Sequence, residues 1–244
     1  MKISVCLHLF YTDMVDDIIN YLKNIDFNYK LYVSIVENQY NQKDILKLKN
    51  FKKDVVIIHV KNRGVDVGGF LNTLKHLDRD TDLILKIHTK KGIGSEKNPS
   101  NAIKQKGYDL AVKQANNWFH NLMRGVLNNK NQVNNIINTF KTNSKCGMVG
   151  FKLYQSLGPN KKEIITLLDK MNISHKFIGG DFIGGTMFWV RYKIIKNYLT
   201  DDMIDVLLNE MKEGYILEPS VQHALERIFG YMVNQENQEI LIVN

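Results

Sequence analysis

The fold is decided by the stretch Val55-Val56-Ile57-Ile58-His59-Val60-Lys61-Asn62-Arg63-Gly64-Val65-Asp66-Val67-Gly68-Gly69. Residues 55–60 form a continuous run rich in β-branched side chains, which is typical of a strand buried on both faces of a parallel sheet. Residues 61–69 are polar and rich in glycine, and residues 68–77 then predict a helix. A strand that ends abruptly before a helix predicts a βα unit.

The same plan occurs elsewhere in the first part of the chain. Apolar runs at residues 3–10, 31–36 and 83–87 also predict strands, and helices are predicted between them. Successive βα units predict an α/β fold with a mostly parallel, doubly wound sheet. Ligands of such sheets bind outside the carboxyl ends of the strands. Residues 61–69 and 88–91 therefore meet at one edge of the sheet, which we call the rim.

The second part of the chain is predicted to be mainly helical. Residues 92–107 are rich in Gly, Ser, Asn and Lys, which favours a loop over the rim. A strand at 182–190 is interrupted by Gly184-Gly185, which indicates a bulge or a close backbone approach. The sequence has no repeat and no linker, so we predict one domain, 1–244, with halves 1–91 and 108–244. Predicted helices of the second half occupy residues 108–127, 131–140, 164–171, 194–199, 203–212 and 219–229.

Composition narrows the class of protein. The chain has 244 residues, 44% of them hydrophobic, and a formal net charge of +8, which attracts anions or simply aids solubility. Cys6 and Cys146 lie in apolar runs without metal-ligand spacing, which favours a reducing compartment. The amino terminus is too short in its apolar part for a signal peptide, and no run reaches the length of a membrane span. We therefore expect a cytoplasmic protein, with peripheral membrane contact left open.

Two polar clusters at the rim are candidate binding residues. The turn from Asn62 to Gly69 permits close backbone approach and precedes free helix amides, which suits a phosphate. It matches neither the P-loop nor the dinucleotide fingerprint, and the alternative is an ordinary glycine-rich turn. His88-Thr89-Lys90-Lys91 supplies two cations that suit a diphosphate leaving group, the alternative being a solvated charge pair.

Two further clusters lie in the second half. Gly185 and Trp189 belong to a glycine and aromatic run that suits stacking on a sugar or base, although such residues are more often core. Asp181, just before this run, is a candidate carboxylate.

His223 and Glu226 are three apart on a predicted helix, so they share a face and suit a general base beside an imidazole. A solvated helix face is the alternative, and no zinc motif accompanies them.

Taken together, these motifs resemble the rhamnan synthesis F family, which comprises glycosyltransferase-like proteins of cell-surface polysaccharide assembly. The resemblance covers almost the whole chain in order. It implies a GT-A-like, Rossmann-like fold, with nucleotide-sugar binding in 1–91 and the acceptor and catalytic half in 108–244. The motifs that carry it are His8 with Phe10-Tyr11, Asn62-Arg63-Gly64-Val65-Asp66-Val67-Gly68, Leu85-Lys86-Ile87-His88-Thr89-Lys90-Lys91, Gly185-Thr186-Met187-Phe188-Trp189-Val190-Arg191 and His223-Ala224-Leu225-Glu226-Arg227.

The resemblance also implies roles for residues. Glu37 would lie near the nucleoside, and Asn62 to Asp66 near the base or ribose. Many related enzymes carry an Asp-x-Asp metal motif at the place of His88-Thr89-Lys90. Because this sequence lacks Asp-x-Asp there, a Mn or Mg cofactor is in doubt, and Lys90 and Lys91 are favoured as diphosphate partners. Glu218-Pro219-Ser220 stands where the family has Asp-Gly-Thr, which implies a changed acceptor or altered activity. The full expected substrate-binding set is His8, Tyr11, Glu37, Asn62, Arg63, Gly64, Asp66, Gly68, His88, Thr89, Lys90, Lys91, Gly185 and Trp189.

The hypothesis from the sequence is a glycosyltransferase. It would move a hexose or a deoxyhexose such as rhamnose from a nucleoside-diphosphate sugar to a glycan acceptor, with inversion and no assigned metal ligand. The expected base is Asp181 or Glu226, with His223 beside it and Asp66 a weaker third. The alternative is a non-catalytic glycan- or nucleotide-binding domain. Nucleic acid is not an expected partner, and the expected location is the cytoplasm, extending to the inner face of a membrane.

Overall fold

The computed structural model describes residues 1–91 and 108–243, with the backbone alone for 108–116. The predicted loop at 92–107 lies outside the described residues. Within the described residues, the strands alternate with helices along the first half of the chain. The strands are β1 (Ile3–His8), β2 (Tyr29–Val36), β3 (Val56–Val60), β4 (Leu83–His88), β5 (Cys146–Gly150), β6 (Leu153–Tyr154), β7 (Phe182–Ile183), β8 (Phe188–Arg191) and β9 (Glu239–Ile242).

Seven of these strands form one sheet in the order β3-β2-β1-β4-β8-β5-β9. Strands β1 to β4 pair in parallel, and β5 pairs in parallel with β9. Strand β8 is antiparallel to both β4 and β5. The predicted α/β architecture with a mostly parallel central sheet is therefore confirmed, and strands of both halves of the chain contribute to it.

Helices cover both faces of the sheet. They are α1 (Val15–Leu22), α2 (Gln42–Phe51), α3 (Val65–Leu74), α4 (Tyr108–Leu127), α5 (Lys130–Thr142), α6 (Lys161–Met171), α7 (Tyr192–Tyr198), α8 (Asp201–Glu210) and α9 (Val221–Gln235). Helices α1, α2, α4 and α5 pack on one face, where Val5, Leu85 and Trp189 are buried. Helices α3 and α6 to α9 pack on the other face, where Cys6 and Phe188 are buried.

Helix α3 begins three residues earlier than predicted, at Val65 in place of Gly68. Gly64 is its N-cap in the left-handed conformation, at φ 66°, which glycine adopts without steric cost. A Cβ atom on Gly68 would lie 1.9 Å from the carbonyl oxygen of Arg63. Both glycines therefore let the chain turn tightly from β3 into the helix, and the turn places Asp66 in the first helical turn.

The segment 182–190 is not the single interrupted strand that the sequence predicts. Strand β7 pairs with β6 in a separate two-stranded sheet, whereas β8 enters the main sheet. Between them, Gly185 and Thr186 have φ of 81° and 52°. Two successive residues in the left-handed region turn the chain between the sheets. The antiparallel entry of β8 brings this turn to the carboxyl end of β4, beside Lys86.

Among the helices of the described ranges, none combines the length and the apolar character that a bilayer crossing requires.

Candidate functional site

The parallel register of the sheet brings polar side chains together at the rim. His8 at the end of β1 stands opposite Ser34 of β2 and His88 of β4. Lys86 is two residues before His88, so its side chain lies on the same face of the sheet. That face is covered by α3 and α9, and the site lies between these two helices and the strand ends.

Lys86 forms the centre of the site. Its side chain is only 1% exposed, and its Nζ lies 2.7 Å from Oδ2 of Asp66. The same ammonium group donates to the carbonyl oxygen of Thr186 at 2.9 Å and to its hydroxyl oxygen at 2.8 Å. A lysine ammonium group has three donors, so these three acceptors satisfy it completely. This satisfaction offsets the cost of burying a charge in the middle of an apolar strand.

Asp66 is held as a carboxylate by these neighbours. Its Oδ2 accepts from Lys86 and from the Thr186 hydroxyl, and Nε2 of His88 lies 3.7 Å away. Burial alone raises the pKa of Asp66, but His88, Lys86 and the hydrogen bonds outweigh burial and hold this pKa well below its usual range. Asp66 is therefore a fixed acceptor of hydrogen bonds and a poor base.

Two histidines flank the Asp66–Lys86 pair. His88 Nε2 lies 3.0 Å from the carbonyl oxygen of Gly185, and burial lowers the pKa of His88. His8 Nδ1 is 3.0 Å from the Ser34 hydroxyl, while its buried Nε2 has no partner in the described part of the chain. A Cβ on Gly69 would lie 2.1 Å from His8 Nδ1, so this glycine allows α3 to pack on the imidazole. Burial lowers the pKa of His8 to about 4.

The first turns of α9 complete the site from the opposite side. Oε1 of Glu226 accepts a hydrogen bond from the backbone amide of Gly185 at 2.8 Å, and Arg227 lies 3.3 Å from its Oε2. Burial raises the pKa of Glu226. His223 Nδ1 is 2.7 Å from the Ser220 hydroxyl, and burial lowers the pKa of His223. A carboxylate whose pKa is raised is a stronger base than an ordinary one, which suits it to accept a proton.

The three residues after His88 differ in their contacts. The hydroxyl oxygen of Thr89 accepts from the backbone amides of Phe10 and Tyr11, at 3.0 Å each, so it fixes the chain after β1. Lys91 pairs with Asp13 and lies 5.4 Å from the centre of the Tyr11 ring. Lys90 is half-buried and forms no ion pair with a described residue. Of the two expected diphosphate partners, Lys90 is the one with fewer competing contacts in the described structure.

The turn after β3 is tied to the segment that precedes α9. The carbonyl oxygen of Asn62 accepts from the amide of Gly214 at 2.7 Å, and Nε of Arg63 lies 3.6 Å from Glu213. Glu37 is exposed directly after β2, the strand next to β3. The expected nucleoside-binding residues therefore share one side of the rim.

Two expected residues lie apart from the Asp66–Lys86 pair. Asp181 precedes β7 and accepts a hydrogen bond from Gln155 at 2.8 Å, and no hydrogen bond of the described residues joins it to Asp66 or Glu226. Trp189 is fully buried on the opposite face of the sheet, where its indole donates to the Val126 carbonyl at 3.0 Å. The expected stacking role of Trp189 is thus corrected, because neither face of a core indole is open to a ligand.

Lys86 and Thr186 belong to the site, although neither was among the expected site residues. A lysine inside the apolar run Leu83-Ile84-Leu85-Lys86-Ile87 was the available signal, because an unpaired charge is too costly to bury there. Thr186 follows two glycines and carried no comparable signal. Its hydroxyl joins the site only because the chain turns between β7 and β8.

The described residues do not fit a divalent metal. Among residues 1–91 and 108–243, no group of three His, Cys, Asp or Glu side chains is placed to hold one. The expected Asp-x-Asp position carries His88 and Lys90, and an ammonium group repels a divalent cation. Asp66, the buried acid of the site, is already paired with Lys86.

Comparison with known proteins gives a family and distant relatives. Residues 1–238 match the family described as Rhamnan synthesis protein F. Two relatives from Xanthomonas campestris pv. campestris, strains ATCC 33913 and B100, are both called Uncharacterized protein WxcX. Each is 22% identical over 246 residues, which is 98% of this chain and 32% of the relative. The chain thus spans about a third of the length of these relatives, at 32%.

Among solved structures, S. aureus TarS 1–349 in complex with UDP aligns with 36% of this chain and 27% of its own. The identity is 16% and the TM-score 0.29. This likeness is too small to support a conclusion about fold or function.

Proposed function

This chain belongs to the rhamnan synthesis protein F family, and we propose that it is a GT-A-like glycosyltransferase domain of polysaccharide synthesis. In this proposal it transfers a hexose or deoxyhexose, rhamnose being the first candidate, from a nucleoside-diphosphate sugar to a glycan hydroxyl. Because the family model covers residues 1–238, the proposal applies to the domain as a whole.

The observation that carries the proposal is the pair of acids at the rim. Asp66 at the start of α3 and Glu226 on α9 flank the turn at Gly185 and Thr186, which touches both. The two acids differ in electrostatics, since the pKa of Asp66 is lowered and that of Glu226 is raised. Acids with pKa values pushed apart are suited to separate roles, one as a ligand to hydroxyls and one as a base.

The donor would lie across the rim. The nucleoside would contact the side formed by Glu37 and Asn62 to Gly64, and the diphosphate would lie near Lys90 and Lys91. Two lysines would neutralise charge on the leaving group without a divalent metal.

The reaction would be an inverting displacement. Glu226 would take the proton of the acceptor hydroxyl as its oxygen attacks the anomeric carbon and the bond to the diphosphate breaks. His223 would contact the acceptor beside Glu226, and Asp181 is the second candidate base. Both cysteines of the chain are buried free thiols, which supports a reducing, cytoplasmic setting within this proposal.

Ligand-dependent thermal stability tests the donor class. The protein would be heated with uridine, thymidine and guanosine diphosphates and their sugar derivatives, with and without Mn²⁺. A ligand that binds only the folded state raises the melting temperature by mass action. We expect a shift with one nucleotide that does not depend on Mn²⁺. A shift that requires Mn²⁺ would overturn the metal-free arrangement, and no shift would favour a glycan-binding domain without transferase chemistry.

Turnover of the stabilising donor then tests the base. Removing a general base costs roughly 10²- to 10⁴-fold in rate, so Glu226→Gln should lose that much while keeping donor binding. Asp181→Asn should lose less, and Asp202→Asn on the exposed start of α8 is the matched surface control. Full activity of both Glu226→Gln and Asp181→Asn would remove the assignment.

A further inference from the structure

Lys86 is a buried charge that the proposed reaction does not use. All its donors are occupied by Asp66 and Thr186, and its side chain is 1% exposed. It therefore has neither the access nor a free donor to bind a diphosphate. Any effect on a ligand must pass through its two partners.

The two oxygens of Asp66 differ in their surroundings. Oδ2 accepts hydrogen bonds from Lys86 and from the Thr186 hydroxyl, whereas none of the hydrogen bonds of the described residues involves Oδ1. The Asp66 side chain keeps 20% of its surface exposed. One oxygen is thus anchored inward, and the other is left for a partner at the site.

The backbone on both sides of this anchor is strained. Val65 has φ 47° and Thr186 has φ 52°, and both are β-branched residues for which the left-handed region is unfavourable. Such strain persists only where surrounding contacts hold it, and it is concentrated at functional sites. The hydrogen bonds from Lys86 connect Thr186 to Asp66, the residue that follows Val65.

We propose that Lys86 is a positioning residue that presents Oδ1 of Asp66 to a hydroxyl of the donor. The occupied Oδ2 fixes the carboxylate, and its free oxygen accepts from the ribose or the transferred sugar. Because a carboxylate repels a diphosphate, the same anchor directs the phosphates away from Asp66 and toward Lys90. This inference rests on the proposed function and adds the orientation of the donor.

The charge on Asp66 depends on groups from three elements. Lys86 is the one in direct contact, and the others act at longer range. The titratable groups that face Asp66 are Lys86 and His88 on β4, His8 on β1, and His223 and Glu226 on α9.

The test compares the wild-type protein with Lys86→Met. Carboxyl ¹³C NMR follows the titration of Asp66 in the ligand-free protein, and calorimetry gives the Kd for the nucleotide sugars of the thermal panel at pH 7 and pH 5. In Lys86→Met we expect the Asp66 midpoint to rise by at least about one pH unit, and donor affinity to fall about tenfold at pH 7 and by at least as much at pH 5. An unchanged midpoint, or wild-type donor affinity at pH 7, would overturn the proposal.

Two further sets of variants keep the test decisive if Lys86→Met does not fold. Lys86→Met with Asp66→Asn removes both charges of the pair, and it should bind the donor at least about tenfold more weakly at both pH values. Wild-type affinity in this double variant would contradict the positioning role. Thr186→Val removes the bridging hydroxyl and should weaken donor binding about tenfold, whereas Thr186→Ser should restore it.

Failure of the proposed function gives a different result. A wild-type protein that binds no nucleotide sugar contradicts the transferase. In that case, a raised Asp66 midpoint in Lys86→Met would still support the anchoring of Asp66 by Lys86, because that measurement needs no ligand.

Discussion

Two lysines near the end of β4 form ion pairs with aspartates in opposite environments. Lys86 is 1% exposed and pairs with Asp66, which is 20% exposed. Lys91 is 41% exposed and pairs with Asp13, which is 65% exposed. Both contacts are ion pairs by distance, yet both partners of the Lys91 pair are exposed, whereas the Lys86 side chain is shielded from water. Coulomb interactions and desolvation costs both grow as water is excluded, so only the buried pair has a large effect when one partner is removed.

The comparison shows that burial, more than pairing, separates a structural or positioning charge from a surface charge. Lys90 is intermediate, because it is half-buried and has no ion pair with a described residue. The lysines at residues 86, 90 and 91 lie within six positions of the chain and differ in burial. Substituting each of them therefore tests whether burial sets the effect of losing a charge.

The largest expected effect comes from breaking the buried pair. Lys86→Met should lower the free energy of unfolding by about 3–5 kcal/mol, because Asp66 would remain buried without its partner. Lys91→Met should lower it by about 0–1 kcal/mol, as is usual for exposed pairs. Urea unfolding of both variants measures the difference. Lys86→Met with Asp66→Asn should recover much of the loss, and equal losses in the two single variants would contradict the comparison.

A smaller effect is expected from pH. The pKa of His8 is lowered to about 4 by burial, so between about pH 6.5 and pH 4 the unfolded chain binds a proton that the folded protein does not. The contribution of His8 to the free energy of unfolding should thus be fully present above about pH 6.5. Below that pH it should fall by about 1.4 kcal/mol per pH unit until about pH 4.

Urea unfolding across this pH range provides the measurement. His88 and His223 have pKa values lowered in the same direction by burial, so their contributions add to the slope. His8→Gln is the matched variant, and its stability should depend less steeply on pH. An unchanged slope in His8→Gln would show that His8 is protonated in the folded protein.

The smallest expected effect concerns Lys90 and Lys91. Lys90→Met should weaken binding of the stabilising nucleoside diphosphate roughly tenfold, a loss of about 1.4 kcal/mol, with little change in melting temperature. Lys91→Met should weaken it less, since Asp13 and Tyr11 already hold that side chain. Calorimetric titration at low and high salt checks both. A larger effect of Lys91→Met than of Lys90→Met would reverse the assignment.

The local pattern of the chain was sufficient for much of the fold. Apolar runs and the turns that follow them predicted the parallel strands β1 to β4, because burial on both faces of a sheet requires such runs. The pattern failed at 182–190, where one apolar run serves two sheets. Gly185 and Thr186, both with positive φ, divide the run, and they form hydrogen bonds with Glu226 and Lys86 from distant parts of the chain.

Part of the candidate site was also expected from short stretches of sequence. His8, Asp66, His88, Gly185 and Glu226 were expected from motifs, and the structure brings them together through the sheet register and the packing of α3 and α9. Lys91 and Trp189 were expected from the same motifs as His88 and Gly185. A sequence motif does not reveal that Asp13 holds Lys91, or that Trp189 faces the core.

By itself, the sequence determined the α/β class, the edge of the sheet where polar residues meet, and the resemblance to a family that the comparison then confirmed. These features depend on residues close together in the chain. Only the tertiary structure decided that β8 runs antiparallel beside β4 and that Lys86 joins Asp66 to Thr186. Asp66 and Thr186 are 120 residues apart, and their contact exists because the antiparallel entry of β8 brings the turn at Thr186 beside β4 and the start of α3.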